Sequence, residues 1–156
     1  MSAVQQPQFG SLREKIAADA KARNERYVQF ATIFAAAVIA GRGAATEHRP
    51  TPMQIVQREN PLDDASAIVK RYEPVADGVC GFAWVTVRPG SGSFAKWLVK
   101  EGHARKAYHG GVDIWVSDYN QSMEKKEAHA SAMAKYLRDN AQFLGTDRIY
   151  SDSRMD

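Results

Sequence analysis

The stretch that decides the fold runs from Gly110 to Leu137 and reads G-G-V-D-I-W-V-S-D-Y-N-Q-S-M-E-K-K-E-A-H-A-S-A-M-A-K-Y-L. Its first part alternates, because Val112, Ile114 and Val116 are separated by single residues. Within a few residues the apolar side chains adopt helical spacing. A period of two followed by a period of 3.6 is typical of a strand that leads into a helix through a tight turn.

Three strands and one helix are predicted around this unit. Gly81 to Arg88 has the composition of a strand, and a Pro-Gly turn leads from it to a short helix that begins at Ser93. A second strand is predicted from Ala104 to His109. Gly110 and Gly111 then form a hairpin turn into the strand that begins at Val112. After the long helix, Arg148 to Ser151 predicts a fourth strand. The order β-α-β-β-α-β indicates an α+β fold with a ferredoxin-like sheet.

The N-terminal part is predicted to be helical. Residues 1–10 are expected to form a loose arm, and a capping box at Ser11 to Glu14 predicts the start of a helix that glycines end at 41–43. Residues 42–60 are interpreted as a linker, with a strand or a single turn from Met53 to Arg58 as the alternative. A second helix is predicted from Asn60, with a buried stripe that extends to Tyr72. The expected division is a helical segment at 1–78 and an α+β domain at 79–156.

The first predicted helix contains an apolar run from Tyr27 to Ala40. A helix that is apolar on all sides is buried in the core or against another subunit. The run is shorter than the roughly 20 residues of a membrane-spanning helix, and no signal peptide is expected. We therefore expect a protein partner or self-association through residues 27–40, and no membrane partner.

Composition predicts an ordinary globular protein. The 156 residues are 44% hydrophobic and 25% charged, with a net charge of +3. Lys and Arg are spread along the chain, so charge alone is weak evidence for nucleic-acid binding. The single cysteine, Cys80, excludes an internal disulfide and is expected to be a small buried residue in a reducing compartment.

One face of the predicted sheet carries surplus aromatic residues. Helix-facing positions are expected at Ala83, Val85, Val87, Val112, Ile114 and Val116, which leaves Phe82, Trp84 and Trp115 on the opposite face. Aromatic side chains on an open sheet stack unpaired bases in RNA-recognition modules, although the specific motif of those modules is missing here. The favoured interpretation is instead that the N-terminal helices, particularly residues 27–40, cover this face or that it forms a subunit interface. The predicted binding set is Phe82, Trp84, Arg88, Arg105, Lys106, Trp115 and Tyr119.

No pattern in the sequence indicates an enzyme or a cofactor. The glycine-rich turn at 89–93 lacks both the P-loop ending and the dinucleotide-binding spacing. A metal site formed by His103, His109 and Asp113 is conceivable, but the usual zinc spacings are missing. His129 lies among charged residues of the long helix and is expected on a solvated face.

Four segments together resemble small proteins encoded by tailed bacteriophages. They are C-G-F-A-W-V-T-V-R-P-G at 80–90, F-A-K-W-L-V-K-E-G at 94–102, Q-S-M-E-K-K-E-A-H-A at 121–130 and S-R-M-D at 153–156. The resemblance covers mainly residues 79–156 and transfers no activity. It implies a location in the bacterial host cytoplasm or in the virion.

The leading hypothesis from the sequence is a non-enzymatic phage protein that acts through protein–protein contacts, as a virion component or a host-directed accessory factor. Its basis is the apolar helix together with the surplus of aromatic residues. The alternative is a module that binds single-stranded nucleic acid on the open sheet face.

Overall fold

A long helix begins the part of the chain that the computed structural model describes, residues 9–156. This helix, α1, spans Phe9–Glu47. The predicted capping box at Ser11 is wrong because Ser11 lies inside the helix, and the predicted arm falls largely on residues 1–8, outside the described residues. The predicted end at Gly41 is also wrong. There the glycine lets α1 approach another helix closely, and it does not terminate α1.

A small hairpin follows α1 in place of the predicted second helix. Its strands are β1, Val56–Arg58, and β2, Ile68–Arg71, which pair antiparallel. The Asn60 side chain accepts a hydrogen bond from the Leu62 backbone N–H at 3.1 Å, which forms a turn where a helix cap was predicted. Leu62 is 96% exposed, so the predicted buried stripe is wrong as well.

The main sheet has four antiparallel strands. They are β3 (Gly81–Arg88), β4 (Arg105–Lys106), β5 (Val112–Trp115) and β6 (Arg148–Met155), and their spatial order is β4-β5-β3-β6. The predicted strand at 104–109 is therefore much shorter than expected. β3 pairs along its full length with β6, and Trp84 lies opposite Trp115 of β5.

Three helices complete the fold. They are α2 (Ser93–Lys100), α3 (Met123–Asp139) and α4 (Ala141–Leu144). The protein thus combines helices with antiparallel sheets, which confirms the predicted α+β class. The domain division at residue 78 stays a prediction, and the packing of α1 against α3 crosses it.

The core lies between the inner face of the main sheet and the helices. All six predicted helix-facing residues are buried: Ala83, Val85, Val87, Val112, Ile114 and Val116. From α1, Phe30 enters this core and contacts the rings of Phe94 at 5.3 Å and Trp97 at 6.0 Å. Cys80, predicted to be buried, is exposed. It directly precedes β3 and pairs with Ser122, and the alternation of β3 puts it on the side of Phe82 and Trp84, away from the buried Gly81 and Ala83.

The apolar half of α1 is only partly covered. An 18-residue window in this helix has a mean hydropathy of 1.5, and 22% of the window is buried. By length and composition α1 would suffice to cross a membrane, a property that core helices of soluble proteins share. The expectation of no membrane partner stays a prediction.

Candidate functional site

The outer face of the main sheet brings the predicted aromatic residues together. Trp84 and Trp115 lie on adjacent strands in direct register, and their rings stack with centroids 4.9 Å apart and planes 30° apart. Phe82 meets the edge of the Trp115 ring at 6.2 Å. Trp115 keeps 38% of its surface exposed, so one side of this aromatic cluster remains accessible. Stacking of this kind is favourable because offset aromatic rings attract each other.

The N-terminal helix does not cover this face, contrary to the prediction. α1 packs against α3 and, more lightly, against α2, on the opposite side of the sheet. The apolar side of α1 packs on the other helices and not on the outer face of the sheet, and Ala37, Gly41 and Ala45 are buried in this contact. Small residues allow two helices to approach closely, and this packing buries one side of the apolar run against α3 without covering Trp115.

Strand β6 contributes residues that the sequence analysis missed. Antiparallel pairing sets Tyr150 opposite Thr86, and Arg154 opposite Phe82, on the same face. The Tyr150 ring lies 5.9 Å from the guanidinium of Arg88 and 5.0 Å from that of Arg148. Alternation continues to Met155, whereas the predicted strand ended at residue 151. Extending the period-two pattern by four residues would have added Arg154, whereas Tyr150 already lies within the predicted strand.

The charge of the outer face is predominantly positive. Its charged side chains, as the strand register assigns them, are Arg88, Arg105, Arg148, Arg154, Asp113 and Asp152. The Asp113 carboxylate accepts a hydrogen bond from the Thr86 hydroxyl at 2.7 Å. The guanidinium of Arg88 donates to the His109 carbonyl at 2.8 Å, and this bond fixes the guanidinium at the edge of the face.

A shallow cleft of about 290 Å³ runs across this face. Its floor and walls include Trp84, Trp115, Asp113, Tyr108 and Tyr150. Aromatic surfaces and cationic side chains therefore lie side by side in one concave region. Such a surface can stack planar groups while its arginines contact anionic groups nearby.

Two predicted binding residues lie elsewhere. Lys106 pairs with Val112, whose side chain points into the core, so Lys106 belongs to the other side of the sheet. The Tyr119 hydroxyl lies 2.7 Å from Nδ1 of His129. Burial raises the pKa of Tyr119, with a further increase from Asp118. Tyr119 therefore has a structural role between the end of β5 and α3.

The proposed histidine metal site does not form. His103 stacks on the Phe34 ring with centroids 4.5 Å apart, and His109 is exposed. Asp113 is engaged by Thr86. Among residues 9–156, no group of three or more His, Cys, Asp or Glu side chains is arranged to hold a metal ion.

His129 is buried, which contradicts the predicted solvated position. It is 3% exposed and lies where α1 crosses α3. Lys126, one turn earlier, is also buried, and its ammonium donates to the Gly81 carbonyl at 3.0 Å. A hydrogen bond of 3.0 Å between Nε2 of His48 and the Glu124 carboxylate connects the segment after α1 to the first turn of α3. The hydrogen bond from His48 lowers the pKa of Glu124.

Lowering the pH is expected to destabilise the fold through His129. Burial lowers the pKa of this imidazole from its ordinary value of 6.5, so the unfolded state binds more protons than the folded state. The resulting stability is fully present above pH 6.5 and is lost as the pH falls through the lower folded-state pKa. Asp118 opposes this decrease of the pKa, and Arg42 adds to it.

Urea denaturation from about pH 4 to pH 8 measures this effect. The wild type should lose more stability on acidification than His129→Gln, which has no imidazole to protonate. His109→Gln, at an exposed histidine, is the matched control and should follow the wild type. Parallel curves for the wild type and His129→Gln would contradict the role of His129.

Comparison of the chain with protein families, curated proteins and solved structures gives no match, so the interpretation of the aromatic face rests on its geometry.

Proposed function

We propose that this protein binds single-stranded nucleic acid on the outer face of its main sheet, without catalysis. The observation that carries the proposal is the stacked Trp84–Trp115 pair on a face that no described helix covers. A base can stack on the exposed side of Trp115. Stacking contributes about 1–3 kcal/mol per base and tolerates any sequence, because every base has an aromatic face.

Arginines around the cluster supply the second requirement, contacts to phosphates. Arg88 and Arg148 flank Tyr150, and Arg154 lies 5.7 Å from the Phe82 ring. Guanidinium groups bind phosphate oxygens in a bidentate manner and also stack on aromatic rings. A strand that crosses the sheet would thus meet bases on the tryptophans and cations on both sides.

The finer fold proposal is a ferredoxin-like arrangement of the main sheet. The strand order β4-β5-β3-β6, with α2 and α3 as connections, supports it. In that arrangement the helices lie on one side and the binding face is on the other. The phage context, with action in the host cytoplasm or the virion, remains part of the proposal through the resemblance of residues 79–156.

Removing Trp115 should weaken nucleic-acid binding without unfolding the protein. We expect Trp115→Ala and Trp84→Ala each to cost about 1–3 kcal/mol of binding free energy to a labelled deoxythymidine oligomer in a fluorescence-anisotropy titration. Tyr72→Ala is the matched control, because Tyr72 is an exposed aromatic residue on the β1–β2 hairpin, away from the sheet face. Thermal denaturation by circular dichroism verifies that each variant folds.

Salt dependence gives an independent readout. The paired change Arg148→Gln and Arg154→Gln should reduce the slope of log affinity against log salt by about one to two. An affinity that Trp115→Ala leaves unchanged, or that Tyr72→Ala lowers equally, would contradict the proposal.

Protein–protein contact through α1 is the second proposal. Val28 and Ile39 are 66% and 70% exposed on a helix whose other side is buried, so an apolar strip of residues 27–40 remains for a partner. Light scattering on the titration samples distinguishes the two functions. A monomeric protein that binds the deoxythymidine oligonucleotide supports nucleic-acid binding on the sheet face. A stable protein oligomer that binds no nucleic acid supports protein–protein contact through α1.

A further inference from the structure

A second cleft lies on the other side of the β4–β5 hairpin, between α2 and the main sheet. Its volume is about 440 Å³, within the range of small-molecule sites. Val99 of α2 and Val112 of β5 contribute apolar surface, and Gly110 and Gly111 form the rim. Both glycines have positive φ, of 93° and 82°, a conformation that favours glycine. A Cβ atom on Gly111 would also lie 2.6 Å from the Val87 carbonyl oxygen.

Three lysines line this cleft, and no acidic side chain does. Lys96 and Lys100 are one helical turn apart on α2, so they lie on the same side of that helix. Lys106 extends from β4, the opposite wall. Among residues 9–156, none of these three ammonium groups has an ion-pair or hydrogen-bond partner, and that of Lys100 lies 5.4 Å from the centroid of the Tyr27 ring. Positive charges therefore converge on an apolar space without a counter-charge.

We propose that this cleft binds a small aliphatic carboxylate, with the chain between Val99 and Val112 and the carboxylate among the lysines. The aliphatic walls favour a ligand with an aliphatic chain, because no aromatic side chain lines the cleft to stack on a ring. The lysines favour a negatively charged ligand, since like charges one helical turn apart repel each other and a bound anion offsets this repulsion. Lysine stems add further apolar contact while their ammonium groups reach the anion.

This cleft is distinct from the aromatic face, although both border the β4–β5 hairpin. The two share only Ala107 and Gly110 among their lining residues. The lysine cleft contains none of the tryptophans proposed to stack bases. Carboxylate binding in the lysine cleft is therefore independent of nucleic-acid binding on the sheet face. The Trp84→Ala variant, which alters the aromatic face, should keep its affinity for the carboxylate.

Calorimetric titration of the full chain with decanoate tests the proposal. Decanoate should bind, whereas decanol and decyltrimethylammonium, which share its chain and lack its charge, should bind at least about tenfold more weakly. Inorganic phosphate should bind poorly, because it cannot use the apolar walls. Equal binding of the cationic analogue, or phosphate binding as tight as that of decanoate, would overturn the proposal.

Substitution locates the site. Lys96→Gln with Lys106→Gln should weaken decanoate binding by at least about tenfold. Lys15→Gln with Lys21→Gln removes the same charge from exposed positions on α1 and should leave the affinity unchanged. Val99→Gln, on the apolar wall, should also weaken binding, and circular dichroism shows that each variant is folded. Unchanged affinity in the Lys96/Lys106 variant would overturn the assignment.

Discussion

Replacing Phe30 by alanine is expected to lower the free energy of unfolding by about 3–5 kcal/mol. Phe30 is fully buried, and its ring contacts four others, from Tyr27, Phe94, Trp97 and Phe143, at 5.3–6.2 Å. Truncation removes the transfer free energy of the ring and leaves a cavity that these rigid neighbours cannot fill. Urea denaturation followed by tryptophan fluorescence measures the loss.

Val28→Ala is the matched control for Phe30→Ala. Val28 lies two residues earlier on α1, and its side chain is exposed, so its truncation should change stability by only about 0.5 kcal/mol. If Phe30→Ala cost as little as Val28→Ala, α1 would not share the core of the sheet domain. A large difference between the two variants supports the packing of α1 against the aromatic rings of α2 and α4.

Replacing Gly41 by alanine is expected to destabilise the protein by about 2–3 kcal/mol. A Cβ atom at this position would lie 2.5 Å from the ring of His129, and the Tyr119 hydroxyl restrains that ring from its other side. The clash has to separate α1 from α3 or displace the imidazole. This cost exceeds the gain in helix propensity, about 1 kcal/mol, that alanine brings over glycine.

Gly43→Ala tests the same chemistry without the clash. A Cβ atom at Gly43 would meet nothing within 4 Å, so this change should raise stability by up to about 1 kcal/mol. Combining Gly41→Ala with His129→Ala should cost less than the sum of the two single changes, because the ring that the methyl group meets has been removed. Equal effects of Gly41→Ala and Gly43→Ala would contradict the close helix crossing.

The centre of the sheet could be predicted from the sequence because β3 and β5 alternate with a period of two. That period predicts Val85 and Ile114 in the core and Trp84 and Trp115 on the outer face, and the burial of the first two and the pairing of the two tryptophans agree with it. It could not say whether the outer face is covered. Coverage of the outer face depends on the surface against which α1 packs. The alternation of residues in a strand carries no information about the packing of one helix on another.

Residues with two structural uses caused the errors. Asn60 can cap a helix or close a turn, and its side chain closes a turn here. Gly41 can end a helix or permit a close crossing, and it permits a crossing. His129 has charged neighbours, which suggested solvent, yet it is one turn from Met133 on the buried side of α3. Helical spacing would have predicted its burial better than local charge did.

The exposure of α1 changes along its length, and this gradient predicts its dynamics. Between residues 10 and 29 only Ala20 and Tyr27 are partly covered, so about 30 Å of helix extends beyond its tertiary support. Most of the stability of a helix in a protein comes from tertiary packing, which this part of α1 largely lacks. The packed C-terminal half of α1 acts as the helix nucleus, and the exposed N-terminal half propagates from it one residue at a time. Amide hydrogens should therefore exchange progressively faster toward Phe9, so that α1 behaves as a helix with one fixed end and one fraying end.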